Sequence, residues 1–431
     1  MKNIFVFVYL PGDILATPAG LFKYDDKELV GTFSYGKRYI EKHAYAISPD
    51  LPISTDEYIS KDFNGLFGAF RDSLPDYWGR LVFSSLNKRP IEDIGEHELL
   101  LSGGASMIGN LSFRLSLDSP EPVLSLPGFS SLEGIIKAAE AIQSGGEVEK
   151  AYQQILQQGS GLGGMRPKCT IEMNNKLWIA KFPAVGDHYN AVKIEAASMR
   201  MAQMAGITIP AISVESIGGK DVFFIERFDR QFLAVPDENK SGYTRHGYIS
   251  ALALLNKYET DRDFGYQDFA DVLRKNGDIK GSHELFKRML FSIAIRNTDD
   301  HARNHGFITT KNNIRLSPAF DITPTASTKG VSTNFDLAIN VGQQGRSATV
   351  ENALSSYKRF GITYDEALKN LSDVTCAISQ WEAVFKETGV SSSDTERFAC
   401  TMSSAKERLL TQADVAPTDS DDDDLRKTYG W

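Results

Sequence analysis

The chain has 431 residues, 42% hydrophobic and 24% charged, which is the make-up of an ordinary globular protein but more than one hydrophobic core usually supports. Three widely spaced cysteines, Cys169, Cys376 and Cys400, form no CxxC pair. They argue against a disulfide framework or a structural zinc site and fit a reducing cytoplasm. The net charge is −9, but six Asp and no Lys or Arg fall within 413–424, so the rest of the chain carries only −3. A near-neutral body lacks the broad basic footprint of a stand-alone nucleic-acid binder.

The chain opens on MKNIFVFVYLPGD, where an apolar run from Ile4 to Leu10 stops at Pro11-Gly12-Asp13. The run is at the short limit for a signal peptide and predicts a buried first strand. No stretch approaches the ~18 apolar residues that cross a bilayer; no membrane and a cytoplasmic location are expected. Residues 1–125 mix short apolar runs with Pro/Gly turns and hold one compact motif, FNGLFGAFRDSLPDYWGRLV, at 63–82. Residues 126–158 read as a helix pair, the first carried by SLEGIIKAAEAIQ and closed by Gly145-Gly146. Helical patterns dominate from about 240 to 412, and the acidic 413–431 reads as a flexible tail.

Between them, 159–230 alternates strands with one helix. GSGLGGMRPK (159–168) is a Gly-rich loop leading into CTIEM, a turn at Asn174-Asn175, and KLWIAKF, a hairpin by alternation. On its second strand Lys181 shares a face with Leu177 and Ile179, an unusual place for an ammonium group, although a lysine snorkelling at a strand end would look the same. The helix AVKIEAASMRMAQMAG follows, carrying Glu195 and ending at Gly206, then strands AISVESI and DVFFIERF around Gly218-Gly219. A kinase small lobe uses this order of loop, strand Lys and helix Glu.

The densest polar cluster is NTDDHARNHGF, 297–307. A helix with Leu285, Phe286, Met289, Leu290 and Ile293 on one stripe precedes it, and a hairpin ending in AFDITPT follows. Asp299 and Asn304 stand in the D-x₄-N relation that a kinase catalytic loop needs, with Asp321 placed as a second oxygen ligand for Mg²⁺. Asp300 is one residue short of that spacing. A metal-hydrolase alternative would use His301, Asp299 and Asp321, but there is no HExxH. His301 reads as a loop buttress or phosphate contact, and His305 as a structural group.

Taken together, the motifs resemble the HipA family of serine/threonine protein kinases, toxins of bacterial toxin–antitoxin pairs. FNGLFGAFRDSLPDYWGR and MIGNLSF (107–113) look like its N-terminal signatures, and GSGLGGMRPK, WIAKFP, FFIERFDR, RNTDDHARNHGF and LSPAFDITPT follow in family order. The resemblance implies an α+β, protein-kinase-like two-lobed fold: an N-terminal subdomain (1–125), an N-lobe with the Gly-rich loop (126–230) and a helical C-lobe (231–412). It implies ATP and Mg²⁺ as cofactors, Asp299 as catalytic base, and Asn304 and Asp321 as metal ligands. Gly163, Gly164, Lys168, Lys181, His301, Asn304 and the backbone of Glu226-Arg227-Phe228 would then contact the nucleotide. A HipB-like helix-turn-helix antitoxin would be the partner, operator DNA would be reached only through that complex, and the substrate would be a protein such as an aminoacyl-tRNA synthetase. One departure concerns regulation. The family's autophosphorylated serine immediately precedes the residue matching Leu162; here that position is Gly161, so either Ser160 substitutes or this control is absent. A small-molecule or lipid kinase and a non-catalytic nucleotide-binding scaffold for operator control are the competing readings.

Overall fold

The computed structural model describes residues 1–43, 45–123, 126–149, 152–153, 155–156, 164–234, 242–311, 313–327 and 334–410. Ser160, Gly161, Gly163 and the acidic tail lie outside the described residues. The predicted first strand is present as β1 (Lys2–Tyr9). It sits inside an antiparallel sheet with β2 (Ala16–Asp25), β3 (Val30–Tyr35), β4 (Tyr58–Ser60) and β5 (Leu111–Arg114), ordered β4-β3-β2-β1-β5. Ile4, Val6 and Val8 alternate into one core with Phe22 and Phe33. The compact motif supplies the plug for that core: Phe70, on the short helix Gly68–Asp72, meets Phe22 and Phe113 edge-on at 5.1 Å. Each such pair adds about 0.5–1.5 kcal/mol beyond burial.

A second sheet has the order β6-β7-β9-β8, with β6 (Lys168–Met173), β7 (Lys176–Lys181), β8 (Ile212–Ile217) and β9 (Lys220–Glu226). Both hairpins turn through paired left-handed residues. Asn174 and Asn175 have φ of 53° and 56°, and Gly218 and Gly219 have 56° and 77°, the requirement of a two-residue loop matched to strand twist. The run VFFI in β9 is buried on both faces. Val222 and Phe224 pack with the predicted helix Leu132–Gln143, joined by Trp78 and Val82 from the helix Tyr77–Asn87. Phe223 and Ile225 pack on the other side with the helix Ala191–Met204, which is continuous with the C-terminal core. That helix ends where Gly206 turns left-handed at φ +81°. Of the second helix expected in 126–158, residues 152, 153, 155 and 156 are helical.

The C-terminal part is built on the buried helix Ile279–Ala294, packed by Tyr266–Lys275, Tyr364–Ile378 and Ser392–Leu410. The predicted hairpin pairs with an unpredicted strand. Beyond the pair β10 (Arg230–Leu233) and β11 (Gly242–Arg245), strand β12 (Gly247–Ser250) joins β13 (Gly306–Thr309) and β14 (Ile314–Leu316). GYIS is too short to display an alternation and runs straight into the apolar ALALL, which hid it among helical patterns. Among the described residues no helix is long and apolar enough to cross a membrane.

Candidate functional site

The register of the β6–β7 hairpin sets Lys168 directly opposite Lys181. Two like charges in that relation repel, and both side chains are buried. Acids from two other segments make the arrangement tenable. The Lys181 ammonium lies 2.5 Å from Glu195 Oε1 on the helix Ala191–Met204 and 2.8 Å from Asp321 Oδ1. Burial alone would lower the Lys181 pKa, but Asp321 and Glu195 outweigh it and hold the ammonium above its usual range. Lys181 in turn holds the Asp321 carboxyl well below the usual carboxylate range against burial. Burial pushes the Glu195 carboxyl up. Lys168 is pulled down to about 8 by burial and by Lys181.

The polar cluster forms a compact loop between the helix Ile279–Ala294 and β13. The helix is closed by the Asn297 N–H donating to Ser292 O, with Arg296 left-handed at φ +56°. A single 3₁₀ turn, Ala302–Asn304, follows. The two adjacent acids have opposite environments. Asp299 is exposed, whereas Asp300 is buried, accepts from the Tyr266 hydroxyl and lies 3.0 Å from His305 Nε2. Asp300 and His305 therefore belong to the core beneath the loop. Asn304 Nδ2 donates to Asp299 O at 3.1 Å, which fixes the amide so that Oδ1 is the atom left to accept a cation or donor. His301 donates its backbone N–H to Asp299 O at 2.8 Å, and its buried Nδ1 has no hydrogen-bond partner among the described residues. Thr298 and Thr325 hydroxyls meet at 2.8 Å and tie this loop to the segment after Asp321. Asp321 is itself left-handed at φ +58° and keeps 42% of its side chain exposed. Asn304 and Asp321 thus offer hard oxygen donors suited to Mg²⁺. The hydrolase set is not assembled: among the described residues no three His, Cys, Asp or Glu side chains gather as metal ligands.

The described part of the Gly-rich loop begins at Gly164, with φ +106°. A Cβ there would lie 2.3 Å from Lys168 Nζ and would be strained by that positive φ, so glycine is the residue that lets the loop pass the lysine without displacing its ammonium. Lys168 itself is the first residue of β6 and not a loop residue. At the connector, the Glu226 N–H donates to Ala211 O and the Arg227 N–H to Leu177 O, each at 2.8 Å. Both amides are spent within the sheet, so a nucleotide held by the backbone of Glu226-Arg227-Phe228 would meet other groups than these two N–H donors. The Arg227 guanidinium points into the scaffold, while the Phe228 ring lies 5.8 Å from Phe320, beside Asp321.

Two acids that the motif reading passed over organise this region. Asp76 accepts the Gly164 N–H at 2.6 Å and Arg303 Nη1 at 2.5 Å. Asp229 is buried between Arg227 and Arg230 and accepts the Gly109 N–H at 2.9 Å. Arg227 and Arg230 also bond the carbonyls of Ser106, Met107 and Gly109. MIGN and ERFDR, separate signatures in the sequence, are therefore one buried network. The residue types gave a hint, since a D flanked by two R in an apolar strand end needs partners, but the partner segment lies about 120 residues away.

Two lobes meeting at this connector, a strand lysine paired with a helix glutamate, and an acidic loop between helix and hairpin define an α+β, protein-kinase-like fold. The chain matches the HipA-like C-terminal domain over 160–382, just over half its length, and the HipA N-terminal domain over 13–114. It belongs to the HipA family. A putative kinase of Haemophilus influenzae is 24% identical over 187 residues, 38% of this chain and 52% of the relative. The serine/threonine-protein kinase toxin HipA of Shewanella oneidensis is 24% identical over 190 residues, 37% of this chain and 42% of the relative. The chain thus spans about half the length of the curated relatives it matches. The solved Shewanella oneidensis HipA, in complex with HipB and its operator DNA, has a TM-score of 0.66 at 16% identity, covering 94% of this chain and 96% of that one.

Proposed function

We propose that this protein is an ATP- and Mg²⁺-dependent serine/threonine protein kinase that acts as the toxin of a toxin–antitoxin pair. The observation that carries the proposal is the convergence of three distant segments on one ammonium, with Lys181 held at 2.5 Å by Glu195 and at 2.8 Å by Asp321. A positioned cation beside a half-exposed carboxylate is what a triphosphate and its metal require. The buried His301 Nδ1, without a hydrogen-bond partner among the described residues, and the positive φ of Gly164 beside Lys168 fit the same ligand.

In this reading Asp321 and Asn304 Oδ1 hold Mg²⁺, which supplies neutralisation of phosphate charge when bound. Lys181 and Lys168 hold phosphate oxygens, and His301 donates to the nucleotide. Phe228 offers its face to the base. Asp299, exposed at the loop surface, accepts the proton of a Ser or Thr hydroxyl brought to it. Ser160, beside the glycine that replaces the family serine, is the loop's candidate acceptor for autophosphorylation, and phosphopeptide mapping decides it. The proposed units are 1–125, 126–230 and 231–412. The relative's complex with HipB and operator DNA supports a HipB-like helix-turn-helix antitoxin as partner. The near-neutral body supports DNA contact through that partner. The substrate class is a translation protein such as an aminoacyl-tRNA synthetase, reached in the cytoplasm.

The test is expression in bacteria of the wild type, Asp299→Asn and Asp321→Asn, following growth and labelling of protein by [γ-³²P]ATP. A positioned base contributes about 10²–10⁴-fold, so Asp299→Asn loses labelling by that factor, Asp321→Asn loses it with the Mg²⁺, and growth arrest is lost with each. Wild-type rates in Asp299→Asn defeat the assignment. Labelling of small molecules or lipids in place of protein defeats the substrate class, and ATP binding without transfer by the wild type identifies a scaffold.

A further inference from the structure

We infer that Asp76, on the N-terminal side of the molecule, is a positioning residue that locks the Gly-rich loop to the catalytic loop. Asp76 is the N-cap residue of the helix Tyr77–Asn87, yet its side chain makes no capping hydrogen bond. An N-cap aspartate ordinarily accepts the second or third amide of its own helix. Here both carboxylate oxygens are committed elsewhere: Oδ2 accepts the Gly164 N–H at 2.6 Å, and Oδ1 accepts Arg303 Nη1 at 2.5 Å. The partners are 88 and 227 residues away in sequence, so forgoing the local cap gains a bridge between two segments that otherwise share no strand. Asp76 and Arg303 keep 24% and 27% of their side chains exposed, at the mouth of the site and not in the core.

The bridge acts on the two parts that a phosphotransfer site must hold in register. Gly164 is the glycine whose left-handed backbone passes Lys168, and Trp78, two residues beyond Asp76, donates to Lys168 O at 3.1 Å. The loop's exit is therefore pinned on both sides of that lysine by one turn of one helix. Arg303 precedes Asn304 in the turn Ala302–Asn304, and the other acids near its guanidinium are Glu259, at 3.8 Å from Nε, and Asp72. Asp76 is thus the close charge partner that orients Arg303, and through it the Asn304 and Asp299 backbone. A bridge of this kind lets the N-terminal subdomain set the spacing between nucleotide loop and catalytic loop without touching either reactant.

The inference rests on the kinase reading and is tested with the full chain. Phosphotransfer kinetics are measured for the wild type, Asp76→Ala, Arg303→Ala and the double variant, and amide hydrogen exchange at Gly164 is measured without nucleotide. Asp76→Ala raises KM for ATP about tenfold, the weight of one charge-assisted hydrogen bond, and lowers kcat. Arg303→Ala lowers kcat while leaving KM within threefold, because Asp76 still holds Gly164. The double variant is no worse in kcat than Asp76→Ala alone, as expected for two groups acting through one contact. A role in folding alone produces no such split. Asp76→Asn, nearly isosteric, replaces the alanine variant if that fails to fold, with the same non-additivity expected. Tighter ATP binding by Asp76→Ala overturns the inference, since it makes Asp76 a competitor of phosphate. Additive losses, or unchanged kcat and KM, overturn it equally. If the wild type binds no ATP the kinase reading fails. The bridge is then judged by exchange: faster exchange at Gly164 in Asp76→Ala upholds it and unchanged exchange sinks it.

Discussion

Replacing Asp229 by Asn isolates the electrostatics of the lobe connector, because the two side chains match in volume and little cavity results. The Asp229 carboxylate is 2% exposed. It accepts Arg227 Nε at 2.9 Å and Nη2 at 2.8 Å, Arg230 Nη1 at 2.6 Å and the Gly109 N–H at 2.9 Å. Both guanidiniums stay charged and are themselves buried, so the triad carries a net positive charge even when intact. Removing the carboxylate leaves two adjacent buried cations, and the Asn amide turns at least one donor toward them. Removing one partner from a buried ion pair costs about 3–5 kcal/mol. For a cooperative unit of about 200 residues this corresponds to a fall in Tm of roughly 6–20 °C. The pH dependence has a fixed sign. Burial would raise the carboxyl, but Arg227 and Arg230 outweigh it and hold it well below the usual range. A depressed carboxyl contributes its stability fully above the unfolded value of about 3.9 and loses it as pH falls through the folded value. The gap between wild type and variant is therefore complete at pH 7 and narrows only in strong acid. Differential scanning calorimetry at pH 7 measures the drop. Limited proteolysis shows whether 1–125 loosens first, as loss of the Gly109 contact requires. A drop below about 2 °C refutes the reasoning.

Two further perturbations probe the site itself. Lys168 is held at about 8 by burial and Lys181, below the ordinary lysine value of about 10.4. The unfolded chain therefore binds more protons between those two values, and stability rises with pH across that window by an amount on the order of 3 kcal/mol. Lys168→Met abolishes the rise and is more stable than the wild type at pH 7; a stability difference independent of pH from 7 to 10 contradicts the placement of Lys168. Gly164→Ala puts a methyl carbon 2.3 Å from Lys168 Nζ, at a φ of +106°, and loses about 1–3 kcal/mol of stability together with nucleotide binding. Equal melting and equal ATP affinity in that variant show that the loop passes Lys168 some other way.

Much of this arrangement could be read from local pattern. Two-residue turns at Asn174-Asn175 and Gly218-Gly219 betray themselves by residue type. The period-2 alternation of KLWIAKF placed Lys181 on the face that meets the helix carrying Glu195. The spacing from Asp299 to Asn304 and the buried stripe before it located the loop, and burial then separated Asp299 from Asp300, which spacing alone could not do with certainty. What stayed hidden depends on long-range pairing. Asp76 in LPDYWGR drew no notice, because sequence does not show the direction of its side chain or the distant partners it meets. The Glu226 and Arg227 amides looked available because only the sheet register shows that Ala211 and Leu177 take them. β12 was too short to carry a period.

The hidden contacts share one physical logic. Asp72 accepts the Ser250 N–H at 2.6 Å and its hydroxyl at 2.8 Å, fixing the start of the helix Ala251–Leu254, whose Ala251 N–H donates to the His305 carbonyl. Asp76 joins Gly164 to Arg303, and Asp229 joins Gly109 to the connector. Each is a single carboxylate accepting a backbone N–H from a segment distant in sequence, with a second donor from Ser250, Arg303 or the arginines beside Asp229, and each has one end on, or bonded to, the N-terminal subdomain. A carboxylate suits this task because two oxygens with about four lone-pair directions can serve partners that face each other across a seam. Apolar contacts could supply adhesion across the same seam, but they tolerate sliding. Charge-assisted bonds to backbone amides fix distance and direction within a few tenths of an ångström. The seam between the N-terminal subdomain and the two lobes is therefore built for register and not only for cohesion. That accounts for a compact, acid-bearing motif at 63–82 lying so far in sequence from the loop it holds.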